Sequence, residues 1–575
     1  MRIIGADSET LFGEPMTFQF FGDDCPKTGI IQWVKPKKAT EQFLKILESV
    51  LRGGDNIQTI IFVHNLTFDM ISFLFDRHEI LKNEEFSFDY HGWHVEGIYA
   101  GVVFATLTHA KHTVRLVDTF AYFQTSLAKL ALVFCPDLPK LPKIKNLGSV
   151  MFEKTDKNFI AYAMRDAEIA YHIGNAIVKM HQHYKINISV SAPHMASQVF
   201  RRKFLQRSIP LPEKRIVYAA LSSYHGGKNN LAAEPGWYEN IYSLDIISAY
   251  PAAMAGLPSF SCKNLYKEIL FDRSRTKNIP DLGIYRVWGT TTNCRWPIIY
   301  DHKFKPITGD VEAIWVTGFE LNEALRSKEF FIRKFHGFYY DSINDSNPSP
   351  FNSYVEEFFK LKNQSKDDSQ TMFYKILMNS LYGKLIQTID NDGLKAFRDL
   401  VFDLENESLR STKTIIAGGM FNPFIASMIT GSVRAHIHRM EHKYKALHTA
   451  TDGIFTLIKP KETKGLGGEK IDCEGDLLLF RNKCYIIYGD LAQATVHARR
   501  IGKNISELLK SKQYNGKYIL KYAHHGFYGS VFDMERMQAG GIHEYSYTKA
   551  NKLKESLKRG LKVNNFEKRK ATFNY

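Results

Sequence analysis

Short apolar runs alternate with helix-period segments through the first 185 or so residues, and this alternation constrains the fold more than any other feature. "MRIIGADSE", "TIIFVHN", "VVFATL" and "HTVRLVDTF" have the length and composition of strands. "NFIAYAMRDAEIAYHIGNAIVKMHQHY" has the period of a long helix. Strands interleaved with helices bury their apolar faces as α/β layers, so an N-terminal α/β domain is expected. The pattern then changes. "NIYSLDIISAYPAAM" reads as a strand that turns into a helix at Pro251, a favoured first-turn position. Residues 283–345 are irregular and strand-rich. Residues 350–383 read as a helical hairpin broken at "KDDS" and stopped at Gly383. Residues 388–418 look like a small β insertion, "PFIASMITGSVRAHIHRMEHKYKAL" returns to helix, and "KALHTATDGIFTLI" is a hairpin around Thr-Asp-Gly. The basic tail is expected to be helical or partly disordered. The fold class is therefore α/β and α+β, multidomain.

The chain has 575 residues, enough for several cores, and no apolar run long enough to span a bilayer. Asp7 interrupts the N-terminus before a secretory apolar region could develop, so a cytoplasmic protein is expected. Six scattered cysteines show neither a zinc-type pair nor a disulfide framework. The net charge of +16 accompanies 13% aromatic residues, many beside Lys or Arg, as in "NGKYILKYAHHGFYG". That mixture suits a phosphate backbone and stacked bases.

Two sets of carboxylates carry the chemistry. In "ADSE", Asp7 and Glu9 lie two apart and share one face of a strand. Like charges held that close repel unless a cation lies between them. In "VHNLTFDM", Asn65 and Asp69 are i, i+4 on an expected helix, and in "AYAMRDAE", Tyr162 and Asp166 repeat the spacing. Four acids from three elements, with a phenol, could surround two Mg²⁺ ions.

This set resembles the Exo I, Exo II and Exo III motifs of the DEDD proofreading 3′–5′ exonucleases, an RNase H-like fold. The resemblance implies that Asp7, Glu9, Asp69 and Asp166 bind metal and that Tyr162 orients the attacking water. It also implies that His64, Asn65 and Phe68 flank the primer end, and that Thr119 and Phe120 of "VDTFAYF" contact single-stranded DNA. A helper lysine is expected among Lys140, Lys143 and Lys145.

In the second set, "SLDIISAYP" ends an apolar strand in Asp245 and places Tyr250 just before a helix. "YKILMNSLYGK" puts Lys375, Asn379 and Tyr382 on one expected helical stripe, suited to a triphosphate and its nucleoside. With "TATDG", these stretches resemble motifs A, B and C of the family B DNA polymerases. Ala450 stands where the first motif C Asp is expected, and Gly453 where the final Ser is expected. The resemblance implies that Asp245, Asp452 and the Ile246 carbonyl bind two Mg²⁺, with Mn²⁺ able to substitute. Tyr250 would exclude a ribose 2′-hydroxyl. Lys375, with Lys362 (or Lys366) on the facing helix, would bind phosphate beside Asn379 and Tyr382.

Three further segments resemble DNA-contacting motifs of that family. They are YxGG (Tyr224, Gly226, Gly227), Tx2GR with Val433 for the Gly (Thr430, Arg434), and KxY (Lys483, Tyr485). Insertions between motifs A and B and between B and C resemble those of the protein-primed polymerases of phages and linear plasmids.

The implied organisation is a right-hand polymerase behind an exonuclease domain. Exonuclease occupies 1–186, the first palm segment 187–258, and a terminal-protein-docking insertion 259–348. Fingers follow at 349–386, a strand-displacement insertion at 387–419, the second palm segment at 420–515 and thumb at 516–575. The implied partners are primer-template and single-stranded DNA, dNTPs and a terminal protein offering a Ser, Thr or Tyr hydroxyl. No membrane partner is expected, and the chain is expected to be a monomer in the host cell of a phage or linear replicon. The rival readings are an exonuclease whose polymerase site is weakened at Ala450, a family B polymerase that is not protein-primed, and a non-enzymatic nucleic-acid binder.

Overall fold

The computed structural model describes residues 1–51, 58–83, 85–233, 236–270, 279–302, 304–387 and 417–488. It adds the backbone of three later strands, Thr495–Ala498, Lys521–Tyr528 and His543–Ala550. The expected insertion at 387–419 and thumb at 516–575 lie almost wholly outside the described residues. The chain forms two compact units. The first is built on Met1–Arg202 and Lys360–Ser380, and the second on Lys203–Phe359 and Leu381–Tyr488.

The first unit is the expected α/β domain. Its strands are β1 (Arg2–Leu11), β2 (Glu14–Gly22), β3 (Ile30–Trp33), β4 (Gln58–Val63), β5 (Glu85–Tyr90), β6 (Trp93–Ile98), β7 (Phe104–His109) and β8 (His112–Asp118). They form one sheet in the order β3-β2-β1-β4-β8-β7-β6-β5. Only β1–β4 and β4–β8 pair in parallel. Ala6 is aligned with Val63, and Val63 with Asp118, so three parallel strands end at one edge. Ligands of open α/β sheets gather at such carboxyl ends.

One face of the sheet is covered by the helix Ala39–Leu51, whose Phe43, Leu44 and Leu47 enter the core beside Phe18, Phe20 and Phe73. The helix Lys157–His183 packs on the other face and is capped by Asp156, whose Oδ1 accepts from the amides of Asn158 and Phe159. Gly5 permits its close approach, since a Cβ there would lie 2.0 Å from the Ala167 carbonyl oxygen. That contact seats Asp166 over β1. The unit continues to Arg202, beyond the expected boundary at 186, and includes the helix Ala192–Val199.

The second unit is built on β9 (Lys228–Leu231), β10 (Gly236–Ile246), β11 (Tyr266–Leu270), β12 (Gly283–Thr291), β13 (Gly309–Thr317), β14 (Phe330–Tyr340), β15 (His448–Thr451), β16 (Gly453–Thr456), β17 (Glu469–Arg481), β18 (Cys484–Tyr488) and β19 (Thr495–Ala498). Seven of them form the sheet β19-β18-β17-β10-β16-β15-β9. Four form a separate layer, β11-β14-β12-β13. The long helix Pro423–Tyr444 presses Val433, Ile437, Met440 and Tyr444 onto Leu244, Ile246 and Ile454. Val433 therefore has a packing role at the position where a Gly was expected. The four-stranded layer coincides with the expected insertion and has its own core of Tyr285, Val287, Val311, Leu321 and Phe335.

The helical hairpin is present as Pro350–Gln364 and Asp368–Ser380. The helix after β10 begins at Ala249, two residues before Pro251. Among the described residues, no helix is long and apolar enough to cross a membrane. Cys25, Cys135, Cys262, Cys294 and Cys473 form no disulfide.

Candidate active sites

In the first unit, Asp7, Glu9, His64, Asn65, Phe68, Asp69, Tyr162 and Asp166 line one cleft with Lys140 and Lys143. Its volume is about 710 Å³. Asp7 and Glu9 come from the end of β1, Asp69 from the helix Leu66–Phe73, and Tyr162 and Asp166 from the long helix. The expected four acids and phenol are thus brought together.

Their electrostatics are those of buried carboxyls held close together. Burial, then Asp69, Asp166 and Glu9, push the Asp7 carboxyl well up. Burial and Asp166 push Glu9 up to about 8. Burial raises Asp69 to about 8 even though Ser8 Oγ donates to it at 2.6 Å. Asp166 is also raised by burial, against the pull of Lys140, which forms an ion pair with it. The open choice of helper lysine thereby narrows. Lys140 bonds Asp166, Lys143 lines the cleft and acts on Glu9, and Lys145 is exposed and does not line the cleft.

These raised carboxyls make a stability prediction. A carboxyl with a folded pKa above its unfolded value binds more protons folded than unfolded. The folded state therefore loses stability as pH rises through the folded value. With Glu9 and Asp69 both titrating at about 8, the melting temperature in EDTA should fall progressively from about pH 5 to about pH 8 and level off above that. Asp69→Asn should flatten that slope, and so should added Mg²⁺. An unchanged slope in both cases would rule out this charge cluster as its source.

Contrary to expectation, Asn65 and Asp69 do not share a helix. Asn65 sits just ahead of it with φ of +69°, a left-handed conformation that Asn tolerates. Asp118, which the motifs did not single out, fixes this turn. Its Oδ1 accepts from the Asn65 amide at 2.9 Å and from the Phe120 amide at 2.8 Å. His64 shares a 2.9 Å hydrogen bond with Thr119 and meets the exposed Phe120 ring edge-on at 5.8 Å. Burial and Lys140 lower His64 to about 4, so it is neutral at pH 7.

In the second unit, β10 lies between β16 and β17, and its Asp245 is paired with Gly453. The Ile246 amide donates to the Asp452 carbonyl at 3.0 Å, which fixes the hairpin tip against the end of β10. Asp245 and Asp452 thus meet across adjacent strands. Burial, then Asp472 and Asp452, raise Asp245 to about 6, and burial raises Asp452 as well. A Cβ on Gly453 would come within 2.0 Å of Asp245 Oδ1. Gly453, in place of the Ser of the motif, leaves room for this close approach of the carboxylate.

Asp472 is the acid that the motifs did not reveal. Ser243 pairs with Cys473 but Leu244 with Ile471, so Asp472 is the extra residue of a bulge. Bulges re-aim side chains. Here the bulge brings a third carboxylate toward Asp245, from the strand on the far side of β10 from Ala450.

Tyr250 stacks on Tyr382 with ring centroids 4.6 Å apart and planes 7° from parallel. Tyr382 does not continue the expected stripe, because the helix ends at Ser380 and Tyr382 opens a separate 3₁₀ turn. In the first unit Lys375 is exposed, and Asn379 and Lys362 are half-buried.

Arg434 is fully buried. Its Nε donates to Glu320 Oε1 at 2.6 Å, and its Nη1 donates to the carbonyls of His225 and Gly226. Thr430 is buried beside it in the same helix, with its hydroxyl directed at the Ser427 carbonyl. Tyr485 packs its ring against His448 and Phe455 in the sheet's core. The direct DNA contact expected of these three is corrected to a positioning role, because none presents its side chain to solvent. Arg434 holds the turn that carries Tyr224, Gly226 and Gly227, and there Gly226 is exposed. Lys483 is half-buried in the turn joining β17 to β18.

Residues 143–417 match the family described as DNA polymerase type B, organellar and viral. A probable DNA polymerase of Neurospora intermedia is 27% identical over 238 residues, covering 39% of this chain and 23% of that protein. The DNA-directed DNA polymerase of Enterobacteria phage PRD1 is 26% identical over 238 residues, covering 35% of this chain and 43% of that protein. The chain therefore spans less than half the length of either relative. Phi29 DNA polymerase, solved with primer-template DNA, matches in fold with a TM-score of 0.66 at 14% identity. That match covers 96% of this chain and 99% of that one. The expected α/β and α+β multidomain class stands.

Proposed function

We propose that the chain is a family B DNA polymerase of the organellar and viral type that copies a DNA template and proofreads the product, a reading supported by motif order, the family match and the fold. Synthesis is assigned to Asp245 and Asp452, and 3′–5′ removal of nucleotides to Asp7, Glu9, Asp69 and Asp166. The observation that carries the reading is the meeting of Asp245 with Asp452 at the ends of adjacent strands, both raised by burial and Asp245 also by Asp472 and Asp452.

Both donor sets fit Mg²⁺. They offer only hard oxygen ligands, and the buried Asp166 Oδ1 has no hydrogen-bond partner. Asp245, Asp452 and the Ile246 carbonyl would hold two ions in one site, and the four acids of the cleft two in the other. Mn²⁺ would substitute. Bound there, the ions would lower the pKa of the attacking hydroxyl or water and neutralise charge on the departing oxygen.

The side chains do the rest. Lys375 and Lys362 attract the triphosphate, and Asn379 donates to the incoming nucleotide. Tyr250, held flat by Tyr382, leaves no room for a ribose 2′-hydroxyl. In the cleft, Tyr162 orients water, Lys140 balances the charge of Asp166, and neutral His64 with Phe120 steers the end of a single strand.

Initiation is proposed to use a terminal protein whose Ser, Thr or Tyr hydroxyl replaces the primer hydroxyl. Support comes from the insertion's separate four-stranded layer and from the likeness to the phage polymerases. The test is to incubate the chain with a candidate terminal protein, Mg²⁺ or Mn²⁺, and one labelled dNTP. A covalent protein–nucleotide product that disappears in Asp245→Asn is expected. Extension of an ordinary primer with no labelled protein would keep the polymerase and remove protein priming.

A further inference from the structure

The helix Pro423–Tyr444 presents His438 and His442 one turn apart, and both rings point at the same carboxylate. His442 Nε2 lies 2.7 Å from Glu329 Oε1, and His438 Nε2 lies 3.0 Å from it. Cys294, from the loop after β12, completes the group. Its sulfur, a Glu329 oxygen and a His442 nitrogen all lie within 4.8 Å of one another. We propose that Cys294, Glu329, His438 and His442 bind one zinc-class transition-metal ion, which ties the four-stranded layer to the palm helix.

The donor set decides the class. One sulfur, two imidazoles and one carboxylate are ligands for Zn²⁺ or Co²⁺, whereas Mg²⁺ and Ca²⁺ take oxygen. Four protein ligands make a closed structural site rather than a catalytic one. A thiolate and a carboxylate also balance the two charges of the ion.

The surroundings supply a second, independent observation. His438 is fully buried, and its Nδ1 has no hydrogen-bond partner, although Glu323 Oε2 lies 3.9 Å away. Glu323 is itself fixed by Arg439 at 2.6 Å and by Arg326. A neutral imidazole here must turn a lone pair toward one of two glutamates. A cation on Nε2 removes the conflict, since the proton then sits on Nδ1 and faces Glu323. Carboxylate–histidine–metal arrangements orient ligands in this way. The Trp296 amide donates to Cys294 Sγ at 3.2 Å, a bond suited to a thiolate. His442 is a third exposed, which leaves a path for entry.

The test uses the full chain, stripped with EDTA and titrated with Co²⁺ in excess Mg²⁺. One equivalent should bind with a thiolate-to-cobalt charge-transfer band and the visible bands of a tetrahedral ion, and Zn²⁺ should displace it. Cys294→Ser should lose the charge-transfer band. Glu323→Gln should weaken binding by about 10–100-fold, the usual effect of removing a carboxylate behind a ligating histidine. Absence of the band in the parent chain would overturn the proposal. Persistence of the band in Cys294→Ser would overturn it equally.

Discussion

Asp245→Asn reduces primer extension by about 10³-fold or more while leaving degradation of single strands at the parental rate. The magnitude follows from losing a ligand that fixes the charge clamp on the reacting phosphate. That clamp contributes several kcal/mol, and each 1.36 kcal/mol is about tenfold in rate. Asp452→Asn should match it if the two residues serve one site, as proposed from the pairing of Asp245 with Gly453 beside Asp452. The selectivity follows from the fold. Asp245 and Asp452 belong to the second compact unit, and the cleft acids to the first. Asn is nearly isosteric with Asp and removes a charge that burial already disfavours, so the variant should fold. Extension kinetics on a primed template check the rate. Near-parental extension by Asp452→Asn would remove the metal assignment.

Asp7→Ala combined with Asp166→Ala has the opposite outcome. Single-strand degradation should fall by about 10³-fold or more, with extension retained. A second signature separates this from simple damage. Asp7 and Asp166 repel their neighbours when no cation is present, so their removal should raise the melting temperature in EDTA at about pH 8. Lost degradation together with gained stability is the pattern of a functional charge cluster held against the preference of the fold. Degradation at the parental rate would show that the cleft is not the nuclease site. The double variant should also accumulate misincorporated nucleotides in its product.

Much of this was legible in the sequence because the acids sit in short motifs at strand ends. Asp7 and Glu9 lie on one strand, and Asp245 closes an apolar run, so local periodicity alone places each carboxylate. Position-specific departures also carried information. Gly453 and Val433 each correspond to a steric or packing fact, most plainly the approach of Asp245 Oδ1 to Gly453.

What the sequence hid depends on pairing between distant segments. The bulge that exposes Asp472 to Asp245 exists only because β10 and β17 pair with a slip at Ser243 and Leu244. The burial of Arg434 depends on Glu320, 114 residues away. No local pattern announces either. The apparent stripe from Lys375 to Tyr382 failed for a different reason. A helical period can run on in the residues after the backbone has already left the helix at Ser380. The Cys294, Glu329, His438 and His442 group escaped because only its i, i+4 histidines are adjacent in sequence, and that spacing is common on polar helix faces.

The central claim is that Asp245 and Asp452 grip the same cations. Hydroxyl-radical cleavage by Fe²⁺ substituted for Mg²⁺ tests it directly, because such radicals cut the backbone only near the bound ion. Cuts are expected around residues 245 and 452 together, with others near residue 472. They should be suppressed by excess Mg²⁺ and lost from both segments in Asp245→Asn. Cuts confined to one segment, or unchanged at residue 452 in that variant, would contradict a shared metal site.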